Sequence, residues 1–300
     1  MKKRLGYFSA LLSPLDIGTL FYVFLSGLYI AIGAPQLTDI LPHIIIRLGV
    51  IALIFVLIFL QNRYPVPIIL FLRNVYPLIF LSFFYTETSY MKNIIFSNDL
   101  DIYFAALEGR LFGCQPSLVF SQLMPQPWFN ELMNMFYFSY YLVTGVVCIT
   151  LYMSRREFCY KPIFTAVFSF YLFYILYNII PVLGPQYFFN TRLNDDAPPY
   201  LFGKIMHSIL FNVEKPTGAF PSSHVGLALI LSYLSYKHHK ALFYITLPFV
   251  IGICFATIYL KEHYVIDVLA AMLVAPVFIY ISGIVYNRLL LLNTPQKQNR

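Results

Sequence analysis

Charged side chains are scarce in this sequence. Asp, Glu, Lys and Arg make up 11% of the 300 residues, whereas hydrophobic residues make up 59% and aromatic residues 19%. A soluble protein of this length does not need so much apolar surface, so the composition predicts a polytopic membrane protein. The net charge is +7, but no basic run is interleaved with the aromatic residues, and we therefore expect no nucleic acid partner.

The sequence also lacks the spacings that mark a metal site or a disulfide framework. Its four cysteines show no metal-ligand spacing, and two of them, Cys148 and Cys254, fall inside apolar stretches. No group of Asp, Glu, His or Cys residues has such spacing either. We therefore expect no metal, no other cofactor and no disulfide framework, and nothing in the sequence identifies a protein partner.

Long hydrophobic runs are abundant. Apolar windows of about 17 to 22 residues, the length that crosses a bilayer core, predict eight spans. They cover residues 15–34, 42–61, 66–85, 133–153, 162–182, 221–236, 241–260 and 264–288. The sixth is short, which indicates a helix end recessed below the lipid headgroups. The predicted fold class is an all-α, polytopic integral membrane helix bundle of about eight spans, with interfacial helices capping the outer face.

The spans fall into two predicted parts. Residues 1–85 hold three N-terminal spans, and residues 86–300 form a catalytic core. Within the core we expect an outer-face cap at residues 86–132 and five spans at residues 133–288. A second long outer segment, residues 183–220, leads into the sixth span. Connections of such length in a compact protein are usually functional.

Basic residues in short loops predict the orientation. Arg63, Arg155, Arg156, Lys237 and Lys240 fall on one side if eight spans place both termini together. The positive-inside rule makes this side cytoplasmic. The starts of the sixth and eighth spans then lie together on the opposite face, which is the periplasmic or luminal one. We favour the bacterial inner membrane.

A histidine and an aspartate stand one helical turn apart at the start of the eighth span. His263 and Asp267 are four residues apart, so on a helix they share one face. A carboxylate there can accept the imidazole N–H and leave the other nitrogen free as a nucleophile or base. The alternative is a buried pair that only satisfies itself. Ionisable groups in apolar segments are costly, which favours the functional interpretation.

A second histidine begins the sixth span. His224 follows Ser222 and Ser223, and the unpaired N–H groups of a helix N-terminus suit a phosphate. The alternative for the serines is ordinary helix-capping chemistry. Because the predicted topology places His224 and His263 on the same face, we predict a shared phosphate site with Ser222 and Ser223 as phosphate ligands.

These residues resemble the type 2 phosphatidic acid phosphatase superfamily. Its second signature block, Pro-Ser-Gly-His, is similar to Pro221, Ser222 and His224, with Ser223 in place of Gly. Its third block ends in His, three residues, Asp, as His263 and Asp267 do. The resemblance implies that His263 attacks phosphorus and forms a phosphohistidine. It also implies that Asp267 orients His263, and that His224 protonates the leaving oxygen and later activates the acceptor.

The sequence departs from the family pattern where phosphate-clamping cations are usual. Ala256 and Thr257 stand where the third block has Ser-Arg, and the chain has no Arg-Pro dipeptide for the first block. Gln186 is the predicted phosphate-binding replacement. Possible headgroup contacts are Tyr187, Asn178, Tyr177, Lys215 and Lys261.

The missing cations favour a phosphate with less charge than a monoester, because charge-assisted contacts are the strong ones. Thr257, Tyr259 and Leu260 also look similar to the inositol phosphorylceramide synthase branch, which acts in sphingolipid metabolism. The resemblance therefore implies a membrane-embedded phosphotransferase that moves an inositol phosphate-like headgroup from a glycerophospholipid to a lipid hydroxyl. Its partners are membrane lipid substrates. The alternatives are a lipid phosphate phosphatase of phosphatidic acid or polyprenyl phosphate type, and a non-enzymatic lipid transporter or scramblase.

Other polar residues in the spans are assigned structural roles. We expect Arg47 and Arg73 either to snorkel or to pair with an acid. The tyrosines of the fourth and fifth spans fit an aromatic belt or helix packing. They are Tyr137, Tyr140, Tyr141, Tyr171 and Tyr174.

Overall fold

The computed structural model describes residues 12–154, 160–191, 200–212 and 215–292. Arg155 and Arg156, on which the predicted orientation depends in part, lie outside these ranges. Regular structure in the described residues is helical. The helices are α1 (Pro14–Gly33), α2 (Ile40–Arg63), α3 (Pro67–Met91), α4 (Asp101–Phe112), α5 (Pro116–Leu123), α6 (Pro127–Ser154), α7 (Tyr160–Ile179), α8 (Pro185–Phe188), α9 (Leu201–Asn212), α10 (Ser223–His238), α11 (Lys240–Tyr259) and α12 (Val265–Leu292).

Seven of these helices are long and apolar enough to cross a membrane: α1, α2, α3, α6, α7, α11 and α12. The predicted sixth span is α10, which has 16 residues. A helix of this length is about 24 Å long, shorter than the roughly 30 Å bilayer core. The prediction of an all-α membrane helix bundle is confirmed, with seven candidate membrane-spanning helices and the short α10.

Two buried ion pairs tie α1, α2 and α3 together. Arg73 on α3 contacts Asp16 on α1 at 2.7 Å, and Arg47 on α2 contacts Glu87 on α3 at 2.6 Å. All four residues are at most 6% exposed. Both arginines therefore pair with an acid rather than snorkel. Breaking a buried pair leaves an uncompensated charge, which typically costs about 3–5 kcal/mol.

The candidate catalytic residues lie at one end of the bundle, which we call the site end. It holds the start of α10 at Ser223 and the start of α12 at Val265. The short helix α4 packs beside it. The Glu108 carboxylate of α4 accepts hydrogen bonds from the backbone N–H groups of Val265 (2.5 Å) and Ile266 (3.3 Å). These are orphan donors of a helix N-terminus, so α4 caps α12.

Candidate active site

The start of α10 fixes the position of His224. Ser222 is the N-cap residue, and its hydroxyl accepts a hydrogen bond from the N–H of Val225 at 3.3 Å, as capping serines do. The Ser222 N–H donates to the carbonyl of Asp267 at 3.2 Å. This backbone bond joins α10 to the first turn of α12, so the two halves of the predicted site are linked directly.

A tight turn between α11 and α12 fixes the position of His263. The N–H groups of Glu262 (3.0 Å) and His263 (3.1 Å) both donate to the Thr257 carbonyl, and Lys261 adopts a left-handed conformation with φ of 63°. The Thr257 hydroxyl donates to the carbonyl of Cys254 at 3.1 Å. The Thr257 carbonyl therefore holds the turn that follows α11, and Thr257 stands at the position where the third family block has Arg.

The two histidines face each other. His263 Nε2 lies 3.4 Å from His224 Nδ1, and His263 Nδ1 lies 2.8 Å from the carbonyl oxygen of Ala219. A carbonyl oxygen can only accept, so Nδ1 of His263 carries a proton and donates it. In the neutral ring the lone pair is then on Nε2, the nitrogen directed at His224. The structure therefore turns a nucleophilic nitrogen toward the second histidine.

Tyr137 on α6 holds the other side of His224. Its hydroxyl lies 3.3 Å from His224 Nε2, and the ring of Tyr140, one turn further along α6, has its centroid 4.5 Å from that of His224. A hydroxyl both donates and accepts, so Tyr137 can serve the neutral and the protonated imidazole alike.

Sequence reasoning missed the contact of these two tyrosines with His224. Tyr137 and Tyr140 are three residues apart and so share a helix face. Their spacing was a usable signal. However, only the packing of α6 against α10 reveals which residue that face contacts.

Asp267 is less close to His263 than the expected orienting bond requires. Its Oδ2 lies 3.6 Å from His263 Nδ1 and accepts a hydrogen bond from the N–H of Tyr264 at 2.8 Å. The Ala219 carbonyl makes the shorter contact with the same ring nitrogen. Asp267 is fully buried. In this structure the Asp267 carboxylate caps the start of α12 and lies close enough to the His263 imidazole to interact with it electrostatically.

A small cavity of about 20 Å³ lies between the histidines and the connection that precedes α10. Tyr187, Lys215, Ser223 and Glu262 line it together with both rings. Lys215 is the basic side chain among the lining residues that the structure describes, and it is exposed. A cavity of this size has room for about one water molecule.

The remaining predicted contacts lie outside this cavity. Gln186 donates from Nε2 to the Glu262 carboxylate at 2.6 Å and so reaches the cavity only through Glu262. Asn178 donates from Nδ2 to the carbonyl of Tyr174 at 2.8 Å. Tyr177 packs its ring against Gly218, where an added Cβ would lie 2.9 Å from ring carbon Cε2.

Lys261 and Ser222 are also absent from the cavity lining. Lys261 is nearly buried, and Ser222 is engaged in capping α10. Within the described ranges, no three His, Cys, Asp or Glu side chains are grouped so that they could hold a metal ion.

Two carboxyl groups of α4, those of Asp101 and Glu108, accept hydrogen bonds from backbone segments next to the histidines. Asp101 accepts from the N–H groups of Leu183 (2.8 Å) and Gly184 (2.9 Å) and from the Tyr264 hydroxyl (3.2 Å). Burial raises the pKa of Asp101, and these donors oppose the rise. Burial likewise raises the pKa of Glu108 to about 7. Near neutral pH the cap of α12 is thus a carboxyl group poised between two protonation states.

The fold and the site together define a helical integral membrane protein with a pair of facing histidines at one end of its bundle. The chain belongs to the PAP2 superfamily, whose sequence pattern matches residues 103–281. The match begins within α4 and ends within α12, so it includes both histidines. Helices α1 to α3 lie outside it.

One curated relative is a PA-phosphatase related-family protein of Dictyostelium discoideum. It is 28% identical over 108 residues, or 35% of this chain. The matched part spans 20% of the length of that relative. No solved structure matches the chain.

Proposed function

We propose that this protein is a membrane phosphotransferase that moves a phospho-headgroup between lipids through a phosphohistidine on His263. The observation that carries the proposal is the pair of facing nitrogens, His263 Nε2 and His224 Nδ1, 3.4 Å apart. Membership of the PAP2 superfamily supports a phosphatase or phosphotransferase of this general kind.

In the first half-reaction, a phosphoryl group enters between the two rings, which must separate to admit it. Its negative charge favours the protonated form of His224. His263 Nε2 attacks phosphorus and forms the N–P bond as the bond from phosphorus to the leaving oxygen breaks. His224 Nδ1 gives its proton to that oxygen. The positive charge that develops on His263 is stabilised by the Ala219 carbonyl and by Asp267, 3.6 Å away.

The second half-reaction runs in the opposite sense. His224 is now neutral, with a proton on Nε2 directed at the Tyr137 oxygen and a lone pair on Nδ1. Nδ1 takes the proton of an acceptor hydroxyl as the acceptor oxygen attacks phosphorus and the N–P bond breaks. Acid and base assistance of this kind is typically worth about a hundredfold to ten-thousandfold.

The charge of the cavity supports a phosphodiester substrate. Lys215 is exposed, and Glu262, whose carboxylate accepts a hydrogen bond from Gln186, lines the same cavity. One cation, offset by one anion, leaves more of the charge of a dianionic monoester without a charge-assisted contact than of the charge of a monoanionic diester. The proposed substrate is therefore a glycerophospholipid with an inositol phosphate-like headgroup, and the proposed acceptor is a lipid hydroxyl. The second candidate is a lipid phosphate phosphatase, which the name of the Dictyostelium relative favours.

Substrate tests distinguish these two activities. The purified protein is given labelled phosphatidylinositol with and without ceramide or diacylglycerol, and phosphatidic acid in a parallel assay. Headgroup transfer that requires the acceptor supports the first candidate, and free phosphate from phosphatidic acid supports the second. His263→Ala should abolish either activity. It should also abolish the acid-labile label that a phosphohistidine would leave on the protein, while the unfolding temperature stays near that of the wild type. Turnover by a folded His263→Ala protein would refute the phosphohistidine.

We also propose that the site faces the periplasm or lumen and that both termini are cytoplasmic. The loop charges support this orientation. Cys114 is an exposed cysteine at the site end, between α4 and α5. A membrane-impermeant thiol reagent should label it in intact cells or sealed spheroplasts, and Cys114→Ser should lose that label. Labelling of Cys114 only after lysis would reverse the orientation.

A further inference from the structure

A long apolar groove begins at the candidate catalytic histidine. Its volume is about 750 Å³, and Ser223 and His224 form its upper end. The walls are faces of α3, α6 and α7. The groove is therefore continuous with the site where, on the proposed function, a lipid phosphate reacts.

The groove follows the helix axes for most of the bilayer thickness. Its wall on α6 runs from Tyr140 to Met153, and its wall on α3 runs from Tyr85 to Phe71. At the rise of an α-helix, each wall is about 20 Å long. One leaflet of a roughly 30 Å hydrocarbon core is about 15 Å thick. A chain that fills the groove from the site end reaches past the middle of the bilayer.

The groove is open toward lipid. Ile149 and Met153 on its α6 wall are 60% and 73% exposed. A flexible chain can therefore enter sideways from the bilayer without crossing water. The lining consists mainly of aliphatic and aromatic side chains, as expected of a site for hydrocarbon.

Resting on the proposed function, we propose that this groove holds the hydrocarbon chain of the substrate lipid and selects for its length. The chain class is a flexible acyl or isoprenoid chain of about 20 Å, longer than one leaflet, whose phosphate end lies at His224. The α3 wall lies outside the residues that match the family, 103–281. Chain selection is thus assigned in part to the N-terminal helices.

Gly145 makes the proposal testable. It lines the groove on α6, and a Cβ placed there would meet nothing within 4 Å. It lies five residues beyond Tyr140, about 7 Å deeper into the groove. A large side chain at this position would block the deeper part without touching the histidines. Because glycine is a poor helix former, the substitution should not weaken α6.

The activity experiment uses Gly145→Phe with dioctanoyl and dioleoyl forms of the same phosphatidylinositol. Excluding a few methylenes from an apolar site should lower kcat/KM for the dioleoyl lipid by about tenfold or more. The dioctanoyl lipid should stay within about twofold, since its chain ends near Gly145. Gly49 on α2 is also exposed with nothing within 4 Å of an added Cβ, and Gly49→Phe is the matched control. Equal losses for both lipids, or no loss for the dioleoyl form, would overturn the proposal.

A binding experiment separates this inference from the proposed reaction. The protein in nanodiscs is irradiated with a long-chain phosphatidylinositol that carries a diazirine at the chain terminus. Crosslinks should map to the deep ends of the groove, near Phe71 and Met153, and Gly145→Phe should remove them. A protein that crosslinks in this way but turns over neither lipid would refute the reaction and support the groove. Crosslinks that Gly145→Phe leaves unchanged would refute the groove.

Discussion

Tyr137→Phe tests the role of the hydroxyl that holds His224. The substitution removes one oxygen and leaves the ring, so the packing of α6 against α10 should be kept. The contact under test is the 3.3 Å bond to His224 Nε2. A bond of this length belongs with ordinary hydrogen bonds, which are worth about 0.5–1.5 kcal/mol net. Converted at 1.36 kcal/mol per factor of ten, the loss in kcat should be about twofold to twelvefold.

The pH profile distinguishes catalysis from a merely structural effect. Protonated His224 donates from Nε2 to the Tyr137 oxygen, so removing the oxygen destabilises the protonated ring. The limb of the pH–rate profile that requires this proton should move to lower pH. Tyr140→Phe is the control, because Tyr140 contacts the same imidazole through its ring. An unchanged kcat and profile in Tyr137→Phe, or an equal change in Tyr140→Phe, would refute the assignment.

Three further substitutions test the supports of His263. Asp267→Asn keeps an oxygen that can cap α12 at Tyr264 but removes the charge 3.6 Å from His263. The value of kcat should therefore fall at least tenfold while the unfolding temperature changes little. A large loss of stability would contradict this. Gly218→Ala places a Cβ 2.9 Å from the Tyr177 ring, at a residue whose φ is +77°. The clash and the strained backbone should displace the neighbouring Ala219 carbonyl and lower both stability and kcat. Wild-type values for both would contradict the packing argument. Because the pKa of Glu108 is raised from 4.5 to about 7, the folded state holds its proton more tightly than the unfolded state. Stability should therefore fall as the pH rises from about 4.5 to 7. Glu108→Gln can still cap α12, and it should make the unfolding temperature in thermal scans less dependent on pH. An unchanged pH dependence would contradict the assignment.

Much of the membrane architecture could be read from hydrophobic runs. The predicted window at 42–61 is helix Ile40–Arg63, and the window at 241–260 is helix Lys240–Tyr259. Such runs predict spans because a membrane-spanning helix must form all its backbone hydrogen bonds internally and expose apolar side chains to lipid. The short hydrophobic run of the sixth span also predicted that this helix would be short.

Contacts between distant segments could not be predicted in this way. The prediction placed His263 and Asp267 one turn apart on the same helix, but His263 lies in the turn before α12, which begins at Val265. In the structure the Ala219 carbonyl, 44 residues away in sequence, lies closer to Nδ1 than the Asp267 carboxylate does. Backbone carbonyls leave no residue-type signal, so sequence reasoning had no means of choosing this one. The same applies to Glu108, whose capping partners Val265 and Ile266 are more than 150 residues away.

The sequence by itself determined that this protein is a helical membrane bundle with His224 and His263 near the starts of two helices. Composition and motif spacing carry that information because they act over one helix at a time. The tertiary structure decided which atoms the two rings present to each other, and that Tyr137 contacts His224. It also decided that an apolar groove leads away from the pair. Those features arise where helices pack, and the packing of separate helices depends on the shapes of faces that no single segment encodes.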